Sequence, residues 1–395
     1  MPEGLKKGWT RVAFGDVVRQ VRDRVDPQEA GLERYVAGEH MDTDDLRIRR
    51  WGTVGDGYLG PAFHMRFKPG HVLYGSRRTY LRKVAVAHFE GITANTTFVL
   101  EPKEPDALLP ELLPFIMQTE SFHEHSIKQS KGSVNPYINF SDLAWYEFAL
   151  PPLEEQRRIA LVLRASHELI ESTRRLGGSI HVAKFALLER AIGGISGASL
   201  LPVADLLLEP PRNGLSPAPS VDTGNVMTVS ISAVRHGDFN PEGCLKHATV
   251  DAEFAQHFIV ESGDAFVIRG NGNRYLCGKA GLSEHSYEAL IYPDLLIRLR
   301  FNPELIIAQF ATAQWNLPSV HGRLVARAKS SNGIWKVNGQ DIREHRLAVP
   351  PMVQQQRITE RLDVLRHRLG DVSAREAAAK RLAAALARKA WGVDD

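Results

Sequence analysis

The sequence predicts an α+β protein made of two pseudo-repeated mixed α/β domains separated by two long helices that pair with one another as a coiled coil. Three observations predict it. A block of sequence recurs at an offset of 199 residues. Each copy is preceded by a stretch of short β-branched and aromatic runs, and each is followed by an apolar repeat with a mean spacing of about 3.5 residues.

The first copy runs from Ile138-Asn139-Phe140-Ser141-Asp142-Leu143 through Ala149-Leu150 to Pro151-Pro152-Leu153-Glu154-Glu155-Gln156-Arg157-Arg158-Ile159. In the second, Asn338, Asp341, Ala348, Pro350, Pro351, Gln355, Arg357 and Ile358 repeat Asn139, Asp142, Ala149, Pro151, Pro152, Gln156, Arg158 and Ile159. A duplication of this reach is a whole domain with its connector, and 395 residues suit two cores better than one. The expected boundaries are a first domain at 1–152, a helix at 153–195, a second domain at 196–351 and a second helix at 352–395.

In the first domain, runs at 35–37, 72–74, 84–87 and 96–100 read as strands, separated by turns such as Gly55-Asp56-Gly57 and Pro69-Gly70. Leu108 to Lys128 reads as helix, starting near Pro110. The second domain repeats the order, with strands at 226–231, 265–268 and 295–299 and a helix from Pro303 to Trp315. The Pro-Pro pairs stop the preceding strand and set the helix start, where a missing N–H costs little. From Ile159 a 3-4 stepping passes through Val162, Ser166, Leu169, Thr173, Leu176, Ile180, Ala183 and Leu187. From Ile358 a 4-3 stepping passes through Leu362, Leu365, Leu369, Val372, Glu376, Ala379, Ala383, Leu386 and Ala390. Each helix of about 36 residues would be roughly 54 Å long. Gly177-Gly178 predicts a kink or break in the first, at about 1 kcal/mol per glycine.

The hydrophobic fraction of 43% and charged fraction of 24% are those of a soluble globular protein, and no apolar run is long enough to span a bilayer. The start, Met1 to Lys7, lacks the apolar core of a secretory signal. Cys244 and Cys277 have no Cys or His neighbours at ligand spacing, which argues against zinc and fits a reducing cytoplasm. A net charge of +3 permits nucleic-acid binding without demanding it.

The two Pro-Pro boxes, each preceded by a domain of similar size and followed by a long helix, resemble the specificity subunit of type I restriction-modification systems. Glu155-Gln156 matches the family's box, and the second copy departs from it with Gln354-Gln355. The resemblance spans essentially the whole chain. It implies two target recognition domains, each reading one part of a bipartite, asymmetric site on double-stranded DNA. It also implies that the helices pair antiparallel as a spacer and dock two modification subunits. Those partners would bind S-adenosylmethionine and methylate adenine, a separate restriction subunit (a motor nuclease) would cut, and this chain would hold no cofactor and do no chemistry.

Two pairs of segments are the expected DNA contacts. After one predicted strand come Arg77, Arg78, Tyr80 and Arg82; after its counterpart come Arg269, Asn271, Asn273, Arg274 and Tyr275. Arginine forks suit guanine edges or phosphates, and asparagine suits adenine. Lys131, Ser133 and Asn135, with Lys329, Ser331, Asn332 and Lys336, form the second pair, equally suited to shaping a turn.

Other signals are weaker. Asn135-Pro136-Tyr137 lacks the second proline of an adenine-methyltransferase motif, and Gly270-x-Gly272 lacks the strand-to-helix context of a dinucleotide loop. His64, His71 and His88 have no acidic partner at ligand spacing. A self-contained DNA modification enzyme would need a cofactor loop and a catalytic motif, and neither is present. A structural protein-binding coiled-coil module would leave the paired arginine-rich loops without a purpose.

Overall fold

The structure, a computed structural model, describes residues 5–57, 59–193, 198–217, 224–331 and 333–391. It divides into two units, residues 1–173 with 375–395, and residues 174–374. Each unit therefore contains one head and parts of both long helices.

Each head is closed by its own first and last strands. Thr10–Ala13 pairs antiparallel with Glu147–Leu150, and Ser199–Pro202 pairs antiparallel with Arg346–Val349. The chain thus enters and leaves a head side by side, at the foot of a long helix. In unit 1, Val18–Val21, Thr97–Pro102, Val72–Gly75 and Val84–Val86 form an antiparallel sheet in that order. A second sheet orders Gly52–Thr53, Arg34–Val36, Gly91–Ala94 and Phe63–Phe67, with a parallel pairing between Arg34–Val36 and Gly91–Ala94. In unit 2 a six-stranded sheet centres on Asp264–Ile268, flanked by Leu296–Arg300 and Ala280–Leu282. The strands expected at 72–74, 84–87, 265–268 and 295–299 are present within a residue or two of their expected ends.

The helix expected over 108–128 is instead two, Leu113–Ile116 and Glu120–Lys128. Thr119 divides them by taking an extended conformation and capping the second, its Oγ1 accepting from the Phe122 N–H. The helix expected from Pro303 begins only at Ala308, because Asn302 holds a turn through its side chain and the Glu304 N–H.

The long helices are Leu153–Gly193 and Met352–Trp391. The first half of one lies with the second half of the other in each unit's core. Ile159, Leu163, Leu386 and Trp391 join the first core, and Leu188, Ile358 and Leu362 the second. Within each unit the two helices are therefore antiparallel neighbours.

On the second helix every expected seam position from Ile358 to Ala390, Glu376 included, is buried or half-buried. The first helix departs from expectation at alternate seam positions: Ile159, Ser166 and Thr173 are buried as expected, but Leu163 and Ile170 are buried in place of Val162 and Leu169, and Leu176 and Ala183 are exposed. Its stepping is 4-3, one residue out of phase with the 3-4 pattern. Apolar residues occur as adjacent pairs, Val162-Leu163 and Leu169-Ile170, so both phases fit the sequence and only packing separates them. The corrected phase brings Gly177 inward, where a Cβ would lie 3.4 Å from the Val372 Cγ1. The helix runs unbroken through Gly177-Gly178, contrary to the expected break, because tertiary packing outweighs the glycine penalty.

The repeated residues now have physical roles. Asp142 Oδ2 accepts from the Asn139 N–H at 3.3 Å, and Asp341 Oδ2 from the Asn338 N–H at 3.0 Å. These bonds start the short helices Phe140–Ala144 and Gly339–Arg343. Gln156, 1% exposed, accepts from the Leu109 N–H and donates to the carbonyls of Ala107 and Pro151, each at 2.9 Å. Gln355, fully buried, does the same with the Ile307 N–H (2.8 Å) and the carbonyls of Leu305 (3.0 Å) and Pro350 (2.9 Å). Each box glutamine fastens its helix to a loop of its own head.

Three buried histidines set an acid limit. Burial first, then the nearby charges of Arg82, Lys279 and Arg323, depress the pKa of His123, His321 and His345 respectively to about 4. Their folded pKa values lie below the unfolded value, so the unfolded chain takes up protons first as pH falls. The stability they contribute is complete above about pH 6.5 and is lost toward pH 4, at up to about 1.4 kcal/mol per pH unit per histidine. Thermal melts should fall through that window, and His321→Gln should flatten the fall for unit 2. An unchanged slope would count against burial as its cause.

Candidate nucleic-acid interface

The strand Val72–Gly75 ends in the buried Ser76, after which the chain turns out through Arg77. Arg77 and Tyr137 form a backbone bridge, with the Ile138 N–H bonded to the Ser76 carbonyl at 3.0 Å and the Arg78 N–H to that of Pro136 at 2.6 Å. Lys131 and Tyr137 exchange backbone bonds of 2.7 and 2.9 Å, closing the 131–137 segment into a loop. The two segments singled out in the first domain are thus laced together. The Arg77 guanidinium lies over the Tyr137 ring, 4.8 Å from its centroid.

Arg78 and Arg82 both have φ of 49°, a left-handed conformation uncommon outside glycine. They bracket the turn Thr79–Leu81, with buried Thr79 below and Tyr80 52% exposed at its tip. Arg82 is engaged by Glu120 and Lys131 by Asp142, at 2.5 and 2.9 Å. The bond from Lys131 holds the Asp142 carboxyl below its usual range. Arg77, Arg78, Tyr80, Ser133 and Asn135 are exposed, and no carboxylate among the described residues pairs with Arg77 or Arg78. These five are the outward set of unit 1, while Arg82 and Lys131 brace it.

Unit 2 repeats the construction with different side chains. Gly270–Asn271 pairs antiparallel with Ile334–Lys336, which forms a hairpin with Lys329–Ser331 around Gly333 at φ 76°. Asn271 opposes Trp335, and the Arg274 guanidinium stands 4.6 Å from the Trp335 ring centroid. Asn271 and Asn273 turn their Oδ1 atoms onto the backbone N–H groups of Asn273 (2.8 Å) and Tyr275 (2.9 Å), so they shape the loop. Arg269 is half-buried, its Nη1 3.5 Å from the Asp294 carbonyl. Arg274, Tyr275, Lys329 and Lys336 are exposed, Tyr275 at 80%. Asn332 lies outside the described residues; of Ser331 only the backbone, in the hairpin, is described.

Sequence reasoning missed Tyr137 and Trp335 as partners of the arginines. The offset of 199 places Tyr137 on Lys336, so the two aromatics are out of step by one residue and the repeat conceals them. Their signal is an aromatic in each closing segment, just before the repeated Asn139 and Asn338.

One acidic cluster uses none of these residues. Asp45, His167 and Glu171 bring ligand atoms within 4.8 Å of one another. Arg49 bonds both carboxylates, to Asp45 Oδ2 at 2.8 Å and to Glu171 Oε1, and Arg47 reaches Glu171 at 3.6 Å. Burial opposes the Arg49 charge, but those acids outweigh it and raise its pKa. The cluster already holds its cation, and it ties head 1 to the first long helix. Among the described residues no helix is long and apolar enough to cross a membrane.

Residues 45–177 match the type I restriction modification DNA specificity domain. The chain is similar to the type I restriction enzyme EcoKI specificity subunit of Escherichia coli K12, 25% identical over 65% of this chain and 60% of the relative. It is also similar to the EcoDI specificity subunit of Escherichia coli, 24% identical over 39% of this chain and 34% of that one. The chain thus spans less than two thirds of the length of these curated relatives. Among solved structures, a chain from a type I R-M system aligns over 99% of both chains at 18% identity and a TM-score of 0.52. The S subunit of a type I restriction-modification system from M. genitalium aligns over 99% of this chain and 98% of its own at 12% identity and a TM-score of 0.54. These likenesses agree with the expected fold of two mixed heads and two long helices. The duplicated box, the specificity-domain match over residues 45–177 and the shared fold together make the chain similar to type I restriction-modification specificity subunits.

Proposed function

We propose that this chain is the DNA-reading subunit of a type I restriction-modification complex and carries out no chemistry itself. Its heads, 1–152 and 196–351, each read one part of a bipartite, asymmetric site on double-stranded DNA. The observation that carries this reading is the repeated construction of the outward face. In each unit a strand-end loop presents an arginine stacked on an aromatic from the head's closing segment, and the surrounding side chains differ. One framework with different contact residues is what two readers of unlike sequences need.

Adenine methylation then belongs to two modification subunits that carry S-adenosylmethionine, and cutting to motor-nuclease subunits. Docking is supported by apolar side chains left exposed on the long helices, among them Leu161 at 70% and Val353 at 75%. The reading implies a cytoplasmic complex.

Binding to duplex DNA, by the chain alone and with its modification subunit, should weaken steeply with salt. The slope of log K against log salt should approach about −0.9 per phosphate neutralised. Arg78→Ala should make that slope shallower by about one contact. No DNA response in either state would overturn the reading.

A further inference from the structure

Unit 2 holds a cavity of about 590 Å³ that shares only Asn271 with the candidate DNA-facing residues. The first long helix lines it with His181, Lys184 and Phe185, the second with Leu362 and Arg366, and the helix Ala308–Trp315 with Gln309, Thr312 and Ala313. The turn joining the strands Val234–Arg235 and Asp238–Phe239 completes the lining.

Its charge is unbalanced. Lys184, Lys279, Arg235 and Arg366 line it against a single carboxylate, Asp238. Arg366 is neutralised by Glu284 and Asp363. Among the described residues no carboxylate stands within ion-pair distance of Lys184 or Lys279, and the Lys279 Nζ has only the Asn316 carbonyl, at 3.3 Å. Burial lowers the pKa of both lysines; for Lys184, Asp238 opposes the shift and Arg366 adds to it. An ammonium withdrawn from water without a close counter-charge is costly, and an anion in the cavity relieves that cost.

The cavity also offers flat, apolar surface. The rings of His181 and His236 lie 5.5 Å apart, tilted by 36°. His236 is held there by a left-handed backbone, φ 54°, and the next residue, Gly237, has φ 100°. A Cβ on Gly237 would come within 3.9 Å of the Lys184 Nζ, so the turn crosses directly beside that ammonium. Phe185, Ile231, Val234 and Leu282 supply apolar wall. A volume in the usual range for small-molecule sites, with rings on one side and two ammonium groups that have no ion pair among the described residues, suits a ligand with an aromatic body and an anionic end.

We propose that this cavity binds a nucleotide-sized organic anion, its phosphate held by Lys184 and Lys279 and its base packed against His181, His236 and Phe185. The anion is either a free mononucleotide or a nucleotide of bound DNA. The proposal stands on the cavity alone and does not depend on which DNA sequence is read.

The test titrates the full-length chain with adenosine 5′-monophosphate, with inorganic phosphate and with duplex DNA, each followed by calorimetry. Wild-type protein should bind the mononucleotide saturably, and phosphate at least tenfold more weakly. Lys184→Met and Lys279→Met should each weaken mononucleotide binding at least tenfold, and Lys184→Arg should restore part of it, with melting curves confirming that each variant is folded. If mononucleotide fails to bind but Lys184→Met weakens duplex binding tenfold, the DNA supplies the anion. No mononucleotide binding together with unchanged duplex binding in both methionine variants overturns the proposal and leaves DNA reading intact. Mononucleotide binding that is equal in wild type and both variants overturns it as well.

Discussion

Gln156→Ala should destabilise unit 1, and Gln355→Ala unit 2, by about 3–5 kcal/mol each. Either change strips a half-buried backbone N–H, a buried carbonyl and a carbonyl of an exposed residue of their partner. A buried polar group left unsatisfied costs about 1–3 kcal/mol, and water entering the vacated space recovers part of it. For units of this size the expected fall in melting temperature is on the order of 10 °C. Gln156→Glu should be at least as damaging, since its oxygens would face the carbonyls of Ala107 and Pro151. Differential scanning calorimetry on the variants decides it, and a loss under about 1 kcal/mol would show that the glutamines are not the fastening.

Removing the stacked arginines should degrade the two halves of the recognition site separately. Arg77→Ala should relax selectivity or weaken binding at one half and leave the other unchanged, and Arg274→Ala should do the converse. The expected cost is about 1–3 kcal/mol where the guanidinium makes a bidentate base contact. Tyr137→Leu and Trp335→Leu should produce milder versions of the same half-specific defects, about 1 kcal/mol, because the arginine stays while its orientation loosens. Tyr137→Phe keeps the ring and should behave as wild type, which a merely structural loss of the 131–137 loop would not predict. Binding measured on a panel of duplexes varied in one half at a time provides the check. Equal damage to both halves by a single substitution would contradict the division of labour.

Much of the framework was legible because duplication filters noise. Asn139 with Asn338, Asp142 with Asp341 and Gln156 with Gln355 could be singled out by repetition, and each proved to hold a short helix or a helix foot in place. Strands such as Val72–Gly75 and Asp264–Ile268 were legible as compact runs of β-branched and aromatic residues. The closing strand Thr10–Ala13 was not, since its four residues carry a partly exposed pattern and gain their place only by pairing with a segment far along the chain. The phase of the first long helix was likewise hidden, because Val162 and Leu163 are interchangeable by hydropathy and only the position of the neighbouring helix selects Leu163. At the candidate interface the positions of Arg77 and Arg274 were legible, but the sorting of their neighbours was not. Whether a basic residue faces outward or is engaged, as Arg82 is by Glu120 and Lys131 by Asp142, depends on acids brought up by the fold.

The central claim is that two unlike heads on one chain read two parts of one site. The measurement that tests it most directly is co-expression of the chain with its modification subunit in a host free of DNA methylation, followed by mapping of N6-methyladenine at single-base resolution. One motif is predicted, with two unlike specified parts separated by a gap of fixed length. A continuous or palindromic motif, or no methylation from an assembled complex, would contradict it.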